Sequence, residues 1–95
     1  MLVGIMCFDK PGHVDLRMET REEHLEWIQG PAIKLKYAGP MLSDDGESSI
    51  GSLIIAEFED LATARAVFAE DPYNKVGLFE RMVIVPTRKV FPVEQ

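Results

Sequence analysis

An α+β domain with the element order βαββαβ is the fold class the sequence predicts, and three observations carry it. Residues 2–8 form an unbroken apolar run of strand length. Asp44-Asp45-Gly46 is a turn signal between two further strand-like segments. Asp60 precedes apolar positions at helical spacing, and a last strand-like segment follows them.

The first strand, residues 2–8, is apolar on both faces. Leu2, Met6 and Phe8 lie on one and Val3, Ile5 and Cys7 on the other, which suits the centre of a sheet. Asp9-Lys10-Pro11-Gly12 ends it. Thr20-Arg21-Glu22-Glu23 has the form of a Thr-x-x-Glu capping box, so a helix is expected from Arg21, with Leu25, Ile28, Ala32 and Leu35 along one stripe. Gly30-Pro31 interrupts that stripe and predicts a kink or two helical segments.

Residues 37–42 hold Gly39-Pro40 and fit an edge strand, because proline cannot donate to a ladder. Residues 50–58 return as its hairpin partner and are again apolar on both faces, with Leu53 and Ile55 against Ile54, Ala56 and Phe58. A second helix capped by Asp60 carries Leu61, Ala64, Val67 and Phe68, and residues 79–85 supply the fourth strand. The segment from Pro86 to Gln95 is a basic, then apolar tail with no assigned form.

This is the ferredoxin-like split βαβ order, whose usual solution is an antiparallel sheet ordered 4-1-3-2 with both helices on one face. A single domain spans residues 1–95. The edge position of the second strand agrees with Pro40, and the central positions of the first and third agree with their apolarity. The helices cover one face of those central strands. The other needs a cover that this order does not supply, so a homodimer packed sheet against sheet is expected, enclosing a pseudo-barrel.

Charge and composition narrow the function. The formal net charge of −6, from 16 acidic and 10 basic residues, disfavours nucleic acid as a partner. The single cysteine, Cys7, forms no internal disulfide and lies in an apolar strand without cationic neighbours, which predicts a buried, unreactive thiol in a reducing compartment. The opening apolar run is too short for a membrane span and lacks a basic stretch before it, so a cytoplasmic location is expected, with no membrane partner.

The topology brings Asp9, Lys10, the loop to Thr20, His24, the Asp44 hairpin and Asp71-Pro72-Tyr73 to one edge of the sheet. With a helix starting at Arg21, His24 falls in its first turn, near the end of the antiparallel second helix where Asp71 follows. A carboxylate bonded to one imidazole nitrogen leaves the other as a general base or acid near neutral pH. Arg17, Arg21 and Lys10, with Asp9 beside them, form a candidate binding group for a small anion, and Tyr73 offers an aromatic wall or a hydroxyl.

A plainer reading of the same residues stands beside this one. His24 is then a buried histidine satisfied by a loop carbonyl, Asp71-Pro72 a helix stop, and the arginines partners of Asp15, Glu22 or Glu23. His13 is read as solvated. Two histidines eleven residues apart match no common metal-ligand spacing, so neither metal nor cofactor is implied.

The strand ending in Asp9-Lys10, the spacing from Arg17 to Arg21-Glu22-Glu23-His24-Leu25, the Ala38-Gly39-Pro40 segment and Asp71-Pro72-Tyr73 together resemble the YciI-like (YCII-related) family. The resemblance runs from Met1 to about Phe91. It implies a dimeric α/β barrel of ferredoxin-like subunits and an active site built on a His-Asp pair, which would be His24 and Asp71. One relative is a dehydrochlorinase of chlorinated hydroxyquinols, and the wider superfamily includes muconolactone isomerases. The resemblance therefore implies acid-base chemistry on small, oxygen-rich rings, of lyase or isomerase type. The rival is a non-catalytic dimeric module that holds a small anion in the same pocket.

Overall fold

In the computed structural model, which describes residues 1–93, the chain runs β1 (Leu2–Asp9), α1 (Val14–Ile28), β2 (Lys34–Leu42), β3 (Ser49–Glu57), α2 (Leu61–Ala69), α3 (Pro72–Lys75) and β4 (Phe79–Thr87). The sheet is antiparallel in the order β2-β3-β1-β4, which is the expected 4-1-3-2 order read from its other edge. Burial explains the order. Val3 opposes Ala56, Ile5 opposes Ile54 and Cys7 opposes Ser52, and this row lies beneath the helices with Ile28, Ala64 and Phe68 packed on it. Val3, Ile5, Cys7, Ile54 and Ala56 are all completely buried, a burial only the two central strands can supply.

The opposite row, with Leu2, Met6, Phe8, Leu53, Ile55 and Val83, is only half-buried. Tyr37 and Val85 extend that apolar face toward the two edges and are exposed. Among the described residues no helix covers it, and no helix is long and apolar enough to cross a membrane.

Three local expectations need correction. The first helix begins at Val14, not Arg21, and Thr20 lies in its interior. Its hydroxyl donates back to the Leu16 carbonyl at 2.8 Å instead of capping a terminus. The buried positions of α1 are Arg17, Thr20, His24 and Ile28, a stripe at helical spacing that is mostly polar and so carries no apolar period before Leu25.

Gly30-Pro31 ends the helix rather than kinking it. Gly30 N–H donates to the Trp27 carbonyl and Ile33 N–H to that of Gly30, turning the chain into β2. Ala32 and Leu35 therefore leave the helical stripe, Ala32 for that turn and Leu35 for β2. Asp71-Pro72 also starts an element as it stops one. Asp71 caps α3 by accepting from Tyr73 N–H at 2.9 Å, and Pro72 occupies the first position, where a missing N–H costs nothing. The tail becomes β4 as far as Thr87, while its last two residues, Glu94 and Gln95, lie outside the described residues.

The β2–β3 connection is internally braced. Asp45 Oδ1 accepts from the Ser43 hydroxyl and from Glu47 N–H, bonds that hold its carboxyl below the ordinary range, and Gly46 supplies the positive φ the turn requires. Just beyond, the β2–β3 register shifts between Met41 and Leu42, and Gly51 is pressed against the β1 backbone. A Cβ there would collide with the Cys7 carbonyl oxygen and the Met41 methyl. Gly51→Ala should lower stability by about 1–3 kcal/mol in urea titration, the usual cost of overpacking a tight interior.

Candidate active site

The polar stripe of α1 builds the site from below. Strand alternation places Asp9 in the same row as Val3, Ile5 and Cys7, so its carboxylate faces the helix layer, and Ser52 sits opposite Cys7 on that face. Arg17 descends between them. Its Nε–H donates to Asp9 Oδ2 at 2.6 Å and its Nη2 to Asp9 Oδ1 at 3.0 Å and Ser52 Oγ at 2.9 Å. Both side chains of the ion pair are nearly inaccessible. Burial opposes the charge on Arg17, but the hydrogen bonds and charge of Asp9 outweigh it, and the guanidinium is held above its ordinary pKa. Losing one member of such a pair typically costs about 3–5 kcal/mol, because the other is left charged and unpaired.

Above Arg17 lies the ring of Tyr73, delivered by α3. The guanidinium carbon stands 4.3 Å from the ring centroid. The His24 imidazole stacks on Tyr73 with centroids 4.2 Å apart and planes inclined by 17°. Trp27 flanks His24 at 6.0 Å and Phe79 meets the Tyr73 edge at 6.0 Å, so the column is walled by aromatic rings. Burial pushes the Tyr73 phenol above its usual pKa against the pull of Arg17, and Asp71 adds to the rise.

His24 Nδ1–H donates to Asp71 Oδ1 at 2.9 Å, the same oxygen that caps α3. With Nδ1 engaged by Asp71, Nε2 is the ring nitrogen left for a further partner. Asp71 is completely buried, and its Oδ2 has no protein partner. The pair is not formed from a first turn. His24 lies one turn before the C-terminal end of α1, a consequence of the helix starting at Val14.

A cavity of about 510 Å³ opens beside this column, between α1 and the β2–β3 half of the sheet. That is ample for a small ring. Its lining mixes polar side chains, among them His24, Tyr73, Arg17 and Ser52, with apolar ones such as Leu25, Ile28, Pro40 and Ile54. Arg21 stands at its mouth, one turn from both Arg17 and Leu25, and among the described residues no carboxylate pairs with it. Asp9 lies behind Arg17 and does not line the cavity. Lys10 does not line it either: its N–H bonds the Leu78 carbonyl and its ammonium lies over Gly77. His13 Nδ1–H bonds the Pro11 carbonyl at 2.8 Å, away from the cavity. Among the described residues no group of three or more His, Cys, Asp or Glu side chains is arranged to hold a metal ion.

Sequence reasoning passed over Ser52 and the hairpin residues Glu47, Ser48 and Ser49, which close the cavity opposite α1. Ser52 had a signal: it is the one hydroxyl on the buried row of an otherwise apolar strand. The hairpin residues had none, since serines beside a turn are ordinary.

A four-stranded ferredoxin-like sheet with an imidazole–carboxylate contact beside a ring-sized cavity defines a small-molecule α+β domain. The model of the YCII-related domain matches residues 1–88, and this chain belongs to that family. It is 37% identical to Protein YciI of Escherichia coli O6:H1 (strain CFT073) over 96% of this chain and the whole of that protein. It is 33% identical to an uncharacterized protein of Haemophilus influenzae, again over 96% of this chain and all of the relative.

Among solved structures, the chain is similar to 5-chloro-2-hydroxyhydroquinone dehydrochlorinase (TftG) from Burkholderia phenoliruptrix AC1100 in complex with 2,5-dihydroxybenzoquinone. The TM-score is 0.84 at 27% identity, covering 93% of this chain and 94% of that one. An uncharacterized NIPSNAP domain protein from Burkholderia xenovorans shares the fold, with a TM-score of 0.55 at 19% identity over 99% of this chain and all of the other.

Cys7 lies beneath the site. Burial, with the charge of Asp71 added, pushes its thiol from 9.0 up to about 12. A thiol-disulfide reagent at pH 8 should leave Cys7 unmodified in the folded protein and label it fully in denaturant. The unfolded chain loses this proton near pH 9.0 while the folded chain keeps it to about 12, so this contribution to stability is complete below pH 9 and is lost as the pH rises toward 12. Fast labelling of the native protein at pH 8 would contradict the burial of the thiol.

Proposed function

We propose that this protein is a lyase or isomerase acting on a small anionic or oxygenated ring, with His24 moving the proton and Asp71 orienting it. The observation that carries this reading is the 2.9 Å contact between His24 Nδ1 and a completely buried Asp71, on the wall of a ring-sized cavity. The likeness to a dehydrochlorinase at 27% identity supports the same reaction class.

Nε2 takes a proton from a ring hydroxyl or from a carbon next to a carbonyl. The released electron pair forms a new double bond. In the lyase case a leaving group such as chloride departs with its bonding pair; in the isomerase case His24 returns the proton to another carbon. Neither route draws on a group outside the chain beyond the substrate itself. Arg21 supplies the charge for an anionic substrate, Tyr73 a planar wall with a protonated hydroxyl, and Arg17 the base of the pocket. Asp9 contributes through Arg17, and Lys10 lies over Gly77, outside the cavity lining.

His24→Asn is the informative variant. Its amide nitrogen occupies the place of Nδ1 and preserves the bond to Asp71 while deleting Nε2. Turnover of chlorinated or hydroxylated ring acids should fall on the order of 10²–10⁴-fold while ligand binding, read by thermal shift, survives. Turnover undiminished in His24→Asn would defeat the assignment of the proton transfer to His24. Ligand-induced stabilisation in both proteins with no turnover in either would favour a binding module.

The functional unit of this reading is a cytoplasmic homodimer formed through the half-buried sheet face, where Met6, Phe8, Leu53, Ile55 and Val83 meet their counterparts. At micromolar concentration the protein should sediment as a dimer and Ile55→Arg as a monomer. A monomeric wild type at that concentration would refute the assembly.

A further inference from the structure

We infer that Arg17, clamped by Asp9 and Ser52, is a positioning residue that holds the Tyr73 ring as a backing plate for His24, and that Arg21 is the cation that meets the ligand. The inference rests on the reading of His24 as the proton-moving group and adds a division of labour between two arginines of one helix face.

Hydrogen bonding separates them. Nε and Nη2 of Arg17 are fully used by Asp9 and Ser52, leaving only Nη1, and the charge is neutralised by a carboxylate in a two-point contact. A neutralised guanidinium attracts an incoming anion weakly. Arg21, one turn further along α1 on the same cavity wall, has no such partner among the described residues.

Geometry then gives Arg17 its role. A planar guanidinium 4.3 Å below one face of Tyr73 and an imidazole 4.2 Å from the same ring make a column of three flat groups. Each end of the column is tied down by a carboxylate, Asp9 at the strand end and Asp71 at the helix end. His24 is thus fixed in two ways. The bond to Asp71 fixes its tautomer and pivot, and the stack on Tyr73 fixes the rotation of its plane. Neither a lysine at 17 nor an amide at 9 reproduces the fork that keeps the Tyr73 ring flat.

The test is spectroscopic and needs no substrate. An aromatic ring stacked at this distance shifts the carbon-bound protons of the His24 imidazole upfield, and they can be followed in isotopically labelled protein at fixed pH. In Arg17→Lys and in Asp9→Asn those signals should move downfield toward their unstacked positions, while Tyr73→Phe, which keeps the plate, should leave them nearly in place. Signals that stay at wild-type positions in both Arg17→Lys and Asp9→Asn would overturn the inference.

Should either single variant fail to fold, the Asp9→Asn/Arg17→Met double variant, which removes both buried charges together, applies the same criterion. Where turnover is measurable, Arg17→Lys should lower kcat on the order of 10²-fold with KM held, the signature of misorientation. Arg21→Gln should raise KM instead, and the reverse pattern would assign ligand binding to Arg17. Loss of the proposed reaction leaves the proton-signal criterion intact, so the two readings fail separately.

Discussion

A guanidinium carried beneath a helix is the constraint around which this fold is arranged. Arg17 is placed under α1 by helical spacing and finds there the carboxylate of Asp9 and the hydroxyl of Ser52. An unpaired charge in that space would cost more than a small domain can spare. The strand row from Val3 through Cys7 must therefore end in an acid, and the facing row of β3 must carry a hydroxyl where an apolar residue would otherwise sit. Packing of α1 on the sheet and assembly of the cavity wall are one event.

Asp71 plays the matching part at the other end. A single oxygen receives Tyr73 N–H, which starts α3, and His24 Nδ1–H, which ties α3 to α1. The turn that halts one helix thereby presents an aromatic ring and orients an imidazole. Asp9 and one oxygen of Asp71 are engaged behind residues that line the cavity, while His24, Arg21 and Glu47 stand on its wall.

Much of this was legible in the residues, and the exceptions have a common cause. The strands were readable because Val3, Ile5, Ile54 and Ala56 alternate with residues of the other face, and Pro40 marked the edge without reference to any partner. The second helix was readable from its Asp60 cap, whose side chain accepts from Thr63 N–H at 2.7 Å. The first helix was misread in its start and its end. Its buried stripe of Arg17, Thr20 and His24 looks like a solvated face, and the Thr20 pattern that resembles a cap lies mid-helix. Apolar periodicity fails at this helix because its buried face is mostly polar, formed by Arg17, Thr20 and His24.

The sequence by itself determined the number, type and order of the strands and the second helix. These follow from alternation, turn residues and caps, which act over a few neighbouring positions. Only the tertiary structure decided which residues touch. Arg17 meets partners 8 and 35 residues away and His24 one 47 residues away. Such contacts are specified by how the helices settle on the sheet, and no local pattern encodes a distance across two layers.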